Sequence, residues 1–234
     1  MVSDVWARVL AEQPLPPDWV VVVTAVVAAM LVWTAAWSTT RHVVTLVHEG
    51  AHGVTALLTG RRLAGIRLHS DTSGVTVSSG RPTGTGMVLT TAAGYAGPGL
   101  LGLAAAWLLG SGHAVALLWL VVVLLTLLLV QIRNWFGLWS VVVSGAVVLA
   151  VSWWLPGQVQ SAFAYALAWF LLLAAPRPVL ELGASRRRRP TPGSDADQLA
   201  RLTGVPAVMW VGAFLAVTVG ALGIGAWRLL AGVV

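Results

Sequence analysis

Long apolar runs, separated by short polar breaks, set the pattern of this chain. They extend from about Trp19 to Trp37 and from about His42 to Thr59, then near 86–109, 113–130, 136–155, 158–175 and 205–231. Most approach the ~20 residues that a helix needs to cross ~30 Å of hydrocarbon. The pattern therefore predicts an all-α polytopic membrane protein with about seven transmembrane helices, the first flanked by tryptophans suited to the membrane interface. One stretch departs from it. Between 62 and 79, Ile66 and Leu68 alternate with polar neighbours, as do Val75 and Val77, around a Ser70–Gly74 turn cluster. Period-two alternation about a turn predicts a β-hairpin directly after the second helix. Its edge could pair with an extended peptide, or the hairpin could simply fill a gap between helices.

Composition agrees. With 58% hydrophobic and 9% charged residues, the chain lacks the charged surface of a soluble globule, about 25% on average. All fourteen basic residues are arginines, and they cluster at the ends of apolar runs. The net charge of +6 thus reads as a topology signal, and no nucleic-acid partner is expected. Alternation across seven spans leaves only Arg41 and Arg228 on one side, which predicts a cytoplasmic amino terminus and an external carboxyl terminus in the cell membrane. Residues 1–18 form a polar leader with Asp4, Arg8, Glu12, Asp18 and three prolines, without the features of a cleaved signal peptide. The expected organisation is one membrane-embedded domain over 1–234, with the leader at 1–18, the hairpin at 62–79 and a cytoplasmic loop at 176–204.

Chemistry enters at Val47-His48-Glu49-Gly50-Ala51-His52. Residues four apart on a helix share a face, so the imidazoles of His48 and His52 can hold one ion, with Glu49 beside them to take a proton from water. Glu49 is also the only carboxylate in any of the apolar runs. An acid in lipid is costly enough to mark function. A catalytic zinc needs a third protein ligand, and with no cysteine in the chain that ligand must be His, Asp or Glu.

Other polar residues have structural uses available. His69 and Asp71 fit solvated turn positions, and His42 and His113 lie away from the motif. Gly94-Tyr95-Ala96-Gly97-Pro98-Gly99 permits a bend or close approach, either as a floor under the motif or as ordinary small-residue packing. Asn134, in a polar knot beside Trp135 and Phe136, marks an interface or supports the site. In the 176–204 loop, the run Arg186 to Arg189 favours the cytoplasm and anionic lipid heads. Ser194 and Asp197 have the spacing of a capping box.

A motif in the second span, a hairpin after it and a glycine-rich third span resemble the site-2 protease family of intramembrane zinc metallopeptidases. The resemblance implies zinc ligation by His48, His52 and a later aspartate, with Glu49 as the base and a membrane protein or peptide as the substrate. The usual Asn-Pro and Leu-Asp-Gly motif of the family is absent. Ser194-Asp195-Ala196, with Leu199, Ala200, Thr203 and Pro206, instead resembles a divergent bacterial subgroup. Asp195 is the expected third ligand and Asp197, which has a capping role open to it, the alternative. Asp4, Glu12, Asp18, Asp71 and Glu181 lie on segments that do not lead back to the motif. For Asp195 to reach a buried metal, residues 193–203 must dip into the bundle. The competing readings are a transporter that uses the His/Glu cluster as an ion or proton relay, and a non-catalytic protease-like scaffold.

Overall fold

The computed structural model describes residues 6–7, 9–188 and 193–231. Asp4, Arg8, Arg189, Pro190 and Pro192 lie outside them. From Asp18 on, the described residues form, in order, α1 Asp18–Trp33, α2 Trp37–Leu58, β1 Arg62–Leu68, β2 Gly74–Ser79, α3 Thr85–Gly110, α4 Ala114–Gln131, α5 Trp135–Trp154, α6 Gly157–Ala174, α7 Pro176–Arg188, α8 Asp195–Thr203 and α9 Ala207–Leu230. The all-helical membrane architecture with a small hairpin is the one the apolar runs predict. The loop expected at 176–204 holds two helices, α7 and α8.

Among the described residues, five helices or helical runs are long and apolar enough to cross a membrane, or six if α1 and α2, bent by 99°, form one span, so the count of seven is not reached. Thr34 takes an extended conformation after Trp33, and α1 is only 16 residues long. Ser38, Thr39, Thr40 and Arg41 then dilute the apolar character of early α2. An ion pair holds the bend, with Arg41 Nη1 2.8 Å from Glu181 Oε2 on α7. Trp37 Nε1 donates to Glu181 Oε1 at 3.0 Å, and the Arg177 guanidinium stacks over the rings of Trp37 and Trp33.

Seven alternating spans would put Arg41 and Glu181 on opposite sides of the membrane. Their contact is incompatible with that arrangement. At the other end, Gln13 N donates to Gly112 O at 2.8 Å and Val115 N donates to Gln13 Oε1. Asp18 and Arg228 line one small cavity with Gly110 and Tyr165. The start of α1, the α3–α4 turn and the end of α9 therefore share one end of the bundle, where the seven-span alternation separated the chain termini.

The hairpin lies at the opposite end, antiparallel, with Ile66 paired to Thr76 and Arg67 to Val75. Ile66 and Leu68 are buried as their alternation predicts. Strand β2 is turned the other way: Val75 and Val77 face outward, and Thr76 faces the bundle. The reason is polar, since Thr76 bonds to α2. The far edge of β1 is already occupied, by a bridge from Ile66 to Ile132 and by the Asn134 side chain. Asn134 Nδ2 donates to Leu68 O at 2.6 Å, and Leu68 N donates to Asn134 Oδ1 at 3.2 Å. Among the described residues, β2 has no second strand.

Helix α3 forms the floor. Gly97 packs on the Ala51 side chain so closely that a larger residue would force a shift, and Gly102 packs tightly on Leu172. Pro98 sits inside this helix. Lacking an N–H, it cannot complete the helical hydrogen bond to the carbonyl of Gly94. Helix α8 docks through Ala196 and Leu199, both fully buried in a cluster with Val179, Leu182, Ala207 and Phe214.

Candidate metal centre

The site forms where α2 crosses α3 and the first residue of α8 reaches them. One face of α2 carries the imidazoles of His48 and His52, whose Nε2 atoms are 3.0 Å apart. Oδ2 of Asp195 stands 3.2 Å from Nε2 of His48 and 3.3 Å from Nε2 of His52. The approach of Asp195 comes from helix packing: buried Ala196 and Leu199 seat α8, and its first residue projects toward α2.

The donor set fits a divalent cation. Ligands bound to zinc at ~2.0–2.1 Å in a tetrahedron lie ~3.3–3.4 Å from one another, close to the spacing of these three atoms. Protonation states point the same way. His52 Nδ1 is 2.7 Å from the carbonyl oxygen of Thr90, which can only accept. The proton of a neutral His52 ring therefore sits on Nδ1, leaving a lone pair at Nε2, an outer-shell arrangement usual for metal-binding histidines. Asp195 Oδ2 is buried without a hydrogen-bond partner, so the nearby imidazole nitrogens are close to it but not aligned as donors. The His52 lone pair and the Asp195 carboxylate, converging with His48 Nε2 in a partly buried site, suit a positive centre between them. His48, His52 and Asp195 are the one such group of possible ligands among the described residues.

Two supports shape this centre. The Cα of Gly94 lies against the rings: a Cβ there would fall 2.5 Å from Cε1 of His52 and 2.6 Å from Cε1 of His48. Tyr95 meets the His48 ring edge-on at 4.9 Å and stacks on Phe214 of α9. This aromatic pair closes the side of the site that faces α9.

Glu49 is buried and held by the hairpin. Thr76 Oγ1 donates to Glu49 Oε2 at 2.6 Å and also lies 3.0 Å from the Glu49 backbone oxygen. Gly74 is equally close, since a Cβ there would lie 2.7 Å from Oε1. The hairpin is thus in direct contact with the motif, where the sequence left open whether it serves only as filler.

Other candidates go elsewhere. Asp197 binds Arg186, at 2.6 Å between Oδ1 and Nη1, and accepts from the Ser194 hydroxyl at 2.8 Å. Burial opposes its ionisation, but the Arg186 and Ser194 donors outweigh it and hold the carboxyl below the usual range. Asn134 braces β1 rather than touching the histidines. Asp71 accepts from Ser73 in the hairpin turn, and His42 packs on Phe136. Thr76 and Thr90 carry no local signal in the sequence, because each acts through a contact with a distant segment. Gly94, by contrast, belongs to the glycine-rich stretch, and its contact with both rings supports the reading of that stretch as a floor under the motif.

Neither the comparison with curated proteins nor that with solved structures gives a match. A family model described as Peptidase M50B-like matches residues 21–225, a span that takes in α2, the hairpin, α3 and Asp195. Long apolar helices around a His/Glu motif are what that match leads one to expect, and the chain belongs to this family, the site-2 proteases.

Proposed function

We propose that the protein is an intramembrane zinc metalloendopeptidase that hydrolyses peptide bonds of membrane-embedded or membrane-proximal proteins. The observation that carries the reading is the convergence of His48 Nε2, His52 Nε2 and Asp195 Oδ2 beside buried Glu49. His48, His52 and Asp195 would hold zinc, which would supply Lewis acidity to the scissile carbonyl and the attacking water. Glu49 takes a proton from that water as its oxygen adds to the carbonyl carbon. It then delivers the proton to the amine nitrogen as the C–N bond breaks. Thr76 occupies one oxygen of the carboxylate, which keeps the base oriented while leaving it lone pairs for the proton.

A helical substrate hides its carbonyls in its own hydrogen bonds, so the segment to be cut must first unwind. The unpaired side of β2 offers backbone groups to such an extended segment by strand addition. Because β2 also holds Glu49, a docked strand would lie next to the base. A transporter reading accounts less well for a donor set that matches three corners of a zinc tetrahedron. Purified protein in bilayers is expected to carry about one zinc per chain and to cleave a membrane-spanning peptide in a chelator-sensitive manner. Ion flux without bound zinc or cleavage would replace the peptidase with the relay.

The shared ends of the bundle support an orientation. With the bent pair α1–α2 as one crossing, eleven of the fourteen arginines fall by sequence position at the hairpin end, Arg41 joins them through its contact with Glu181, and Arg8 and Arg228 lie at the other. The positive-inside rule turns the hairpin end to the cytoplasm. Reporters ahead of Asp18 and after Val234 are both expected outside, and one at Arg188 inside. An amino-terminal reporter in the cytoplasm with an external carboxyl-terminal one would restore seven crossings.

A further inference from the structure

Asp195 is the first residue of a nine-residue helix, and a ligand at a helix end is only as well placed as that end. The start of α8 is held from outside the metal group. Ser194 caps the helix, accepting from the Asp197 backbone N–H at 3.3 Å and donating to Asp197 Oδ2 at 2.8 Å. Arg186, from the last turns of α7, donates to Asp197 Oδ1 at 2.6 Å and lies 3.5 Å from Ser194 Oγ. One guanidinium thus ties both capping residues, one on either side of Asp195, to another helix. Its neighbour Arg187 is exposed, so within this basic run Arg186 has a specific inward partner.

We propose that Arg186 and Asp197 are positioning residues that clamp the start of α8 and thereby seat Asp195 against His48 and His52. The inference rests on the metal reading above and deepens it: Asp197 serves the centre through the helix and not as a ligand. Leu199 and Ala196 hold the body of α8 in the bundle, while the clamp fixes the direction of its first turn. A slack first turn would swing the Asp195 carboxylate away, weakening a third ligand without removing it.

Two measurements test this. In zinc competition with a chelator, Asp197→Asn is expected to lower affinity about tenfold, the scale of outer-shell losses. Asp195→Asn should lose far more, Arg186→Lys should stay near wild type, and Arg187→Ala should have no effect. The second measurement needs no metal. Since the chain has no cysteine, spin labels at Leu180→Cys and Arg201→Cys report the α7–α8 distance in zinc-free protein. One narrow distribution is expected for wild type and Asp195→Asn, and a broadened one for Asp197→Asn.

Unchanged affinity in Asp197→Asn would overturn the clamp. So would a loss as deep as that of Asp195→Asn, which would make Asp197 itself a ligand. If wild-type protein takes up no zinc, the metal reading falls and the distance arm alone decides the clamp. Broadening in Asp197→Asn then supports it, and an unchanged distribution overturns it.

Discussion

Glu49→Gln is expected to abolish peptide hydrolysis while leaving zinc bound. The amide is isosteric with the carboxylate and can still accept from Thr76, so the contact between α2 and β2 survives the change. What disappears is the ability to take and return a proton, a contribution of about 10²–10⁴-fold to a rate. His48→Ala and His52→Ala should differ in kind, since each removes a proposed ligand and is expected to release the metal. Zinc content and cleavage rate, measured on the same preparations, separate the two classes. Loss of zinc from Glu49→Gln would make Glu49 a ligand and end its assignment as the base.

Gly94→Ala should be nearly as damaging, although it alters no residue capable of chemistry. The added methyl would sit 2.5–2.6 Å from carbon atoms of both imidazoles, well inside van der Waals contact. Helix α3 cannot retreat cheaply from α2, because Gly99 is packed on Thr218 and Ala221 of α9 and Gly102 on Leu172 of α6. The rings must turn instead, and turning His52 breaks its bond to the Thr90 carbonyl. Zinc affinity is expected to fall by about 100-fold, the upper range for lost outer-shell support. Gly145→Ala on α5, where a Cβ meets nothing within 4 Å, is the matched control and should bind zinc as wild type does. Full affinity in Gly94→Ala would show that the rings can move freely, contrary to the packing described.

The sequence carried those features that depend on local spacing. Apolar runs gave the helices, alternation about the Ser70–Gly74 turn gave the hairpin, and the four-residue separation of His48 and His52 put both imidazoles on one face. Features set by contact between distant segments were harder to read. The bend between α1 and α2 is held by Glu181, far along the chain, so the run Trp19–Trp37 reads locally as an independent span. Thr76 stands between two valines, and nothing local shows that Glu49 lies beneath it. The proximity of Asp195 to the histidines could be approached only through resemblance and elimination, since the packing that seats it, around Ala196 and Leu199, joins three other helices.

The short first helix gives the protein an uneven hydrophobic girth. Trp19 and Trp33, exposed near the two ends of α1, are about 21 Å apart at the rise of an α-helix. Trp135 and Trp154, exposed at the ends of α5, are about 28 Å apart by the same measure. Lipid around α5 meets a belt close to an ordinary bilayer core, whereas lipid against α1 must thin or dimple. The annulus is then a wedge, with its shallow side at the α1–α2 bend. Headgroups and water would then come nearer there to the helix that carries His48, Glu49 and His52. For the proposed peptidase, a substrate helix entering that thinned lipid would lose part of its apolar cover before it touched the protein, so the membrane itself would begin the unwinding that cleavage requires.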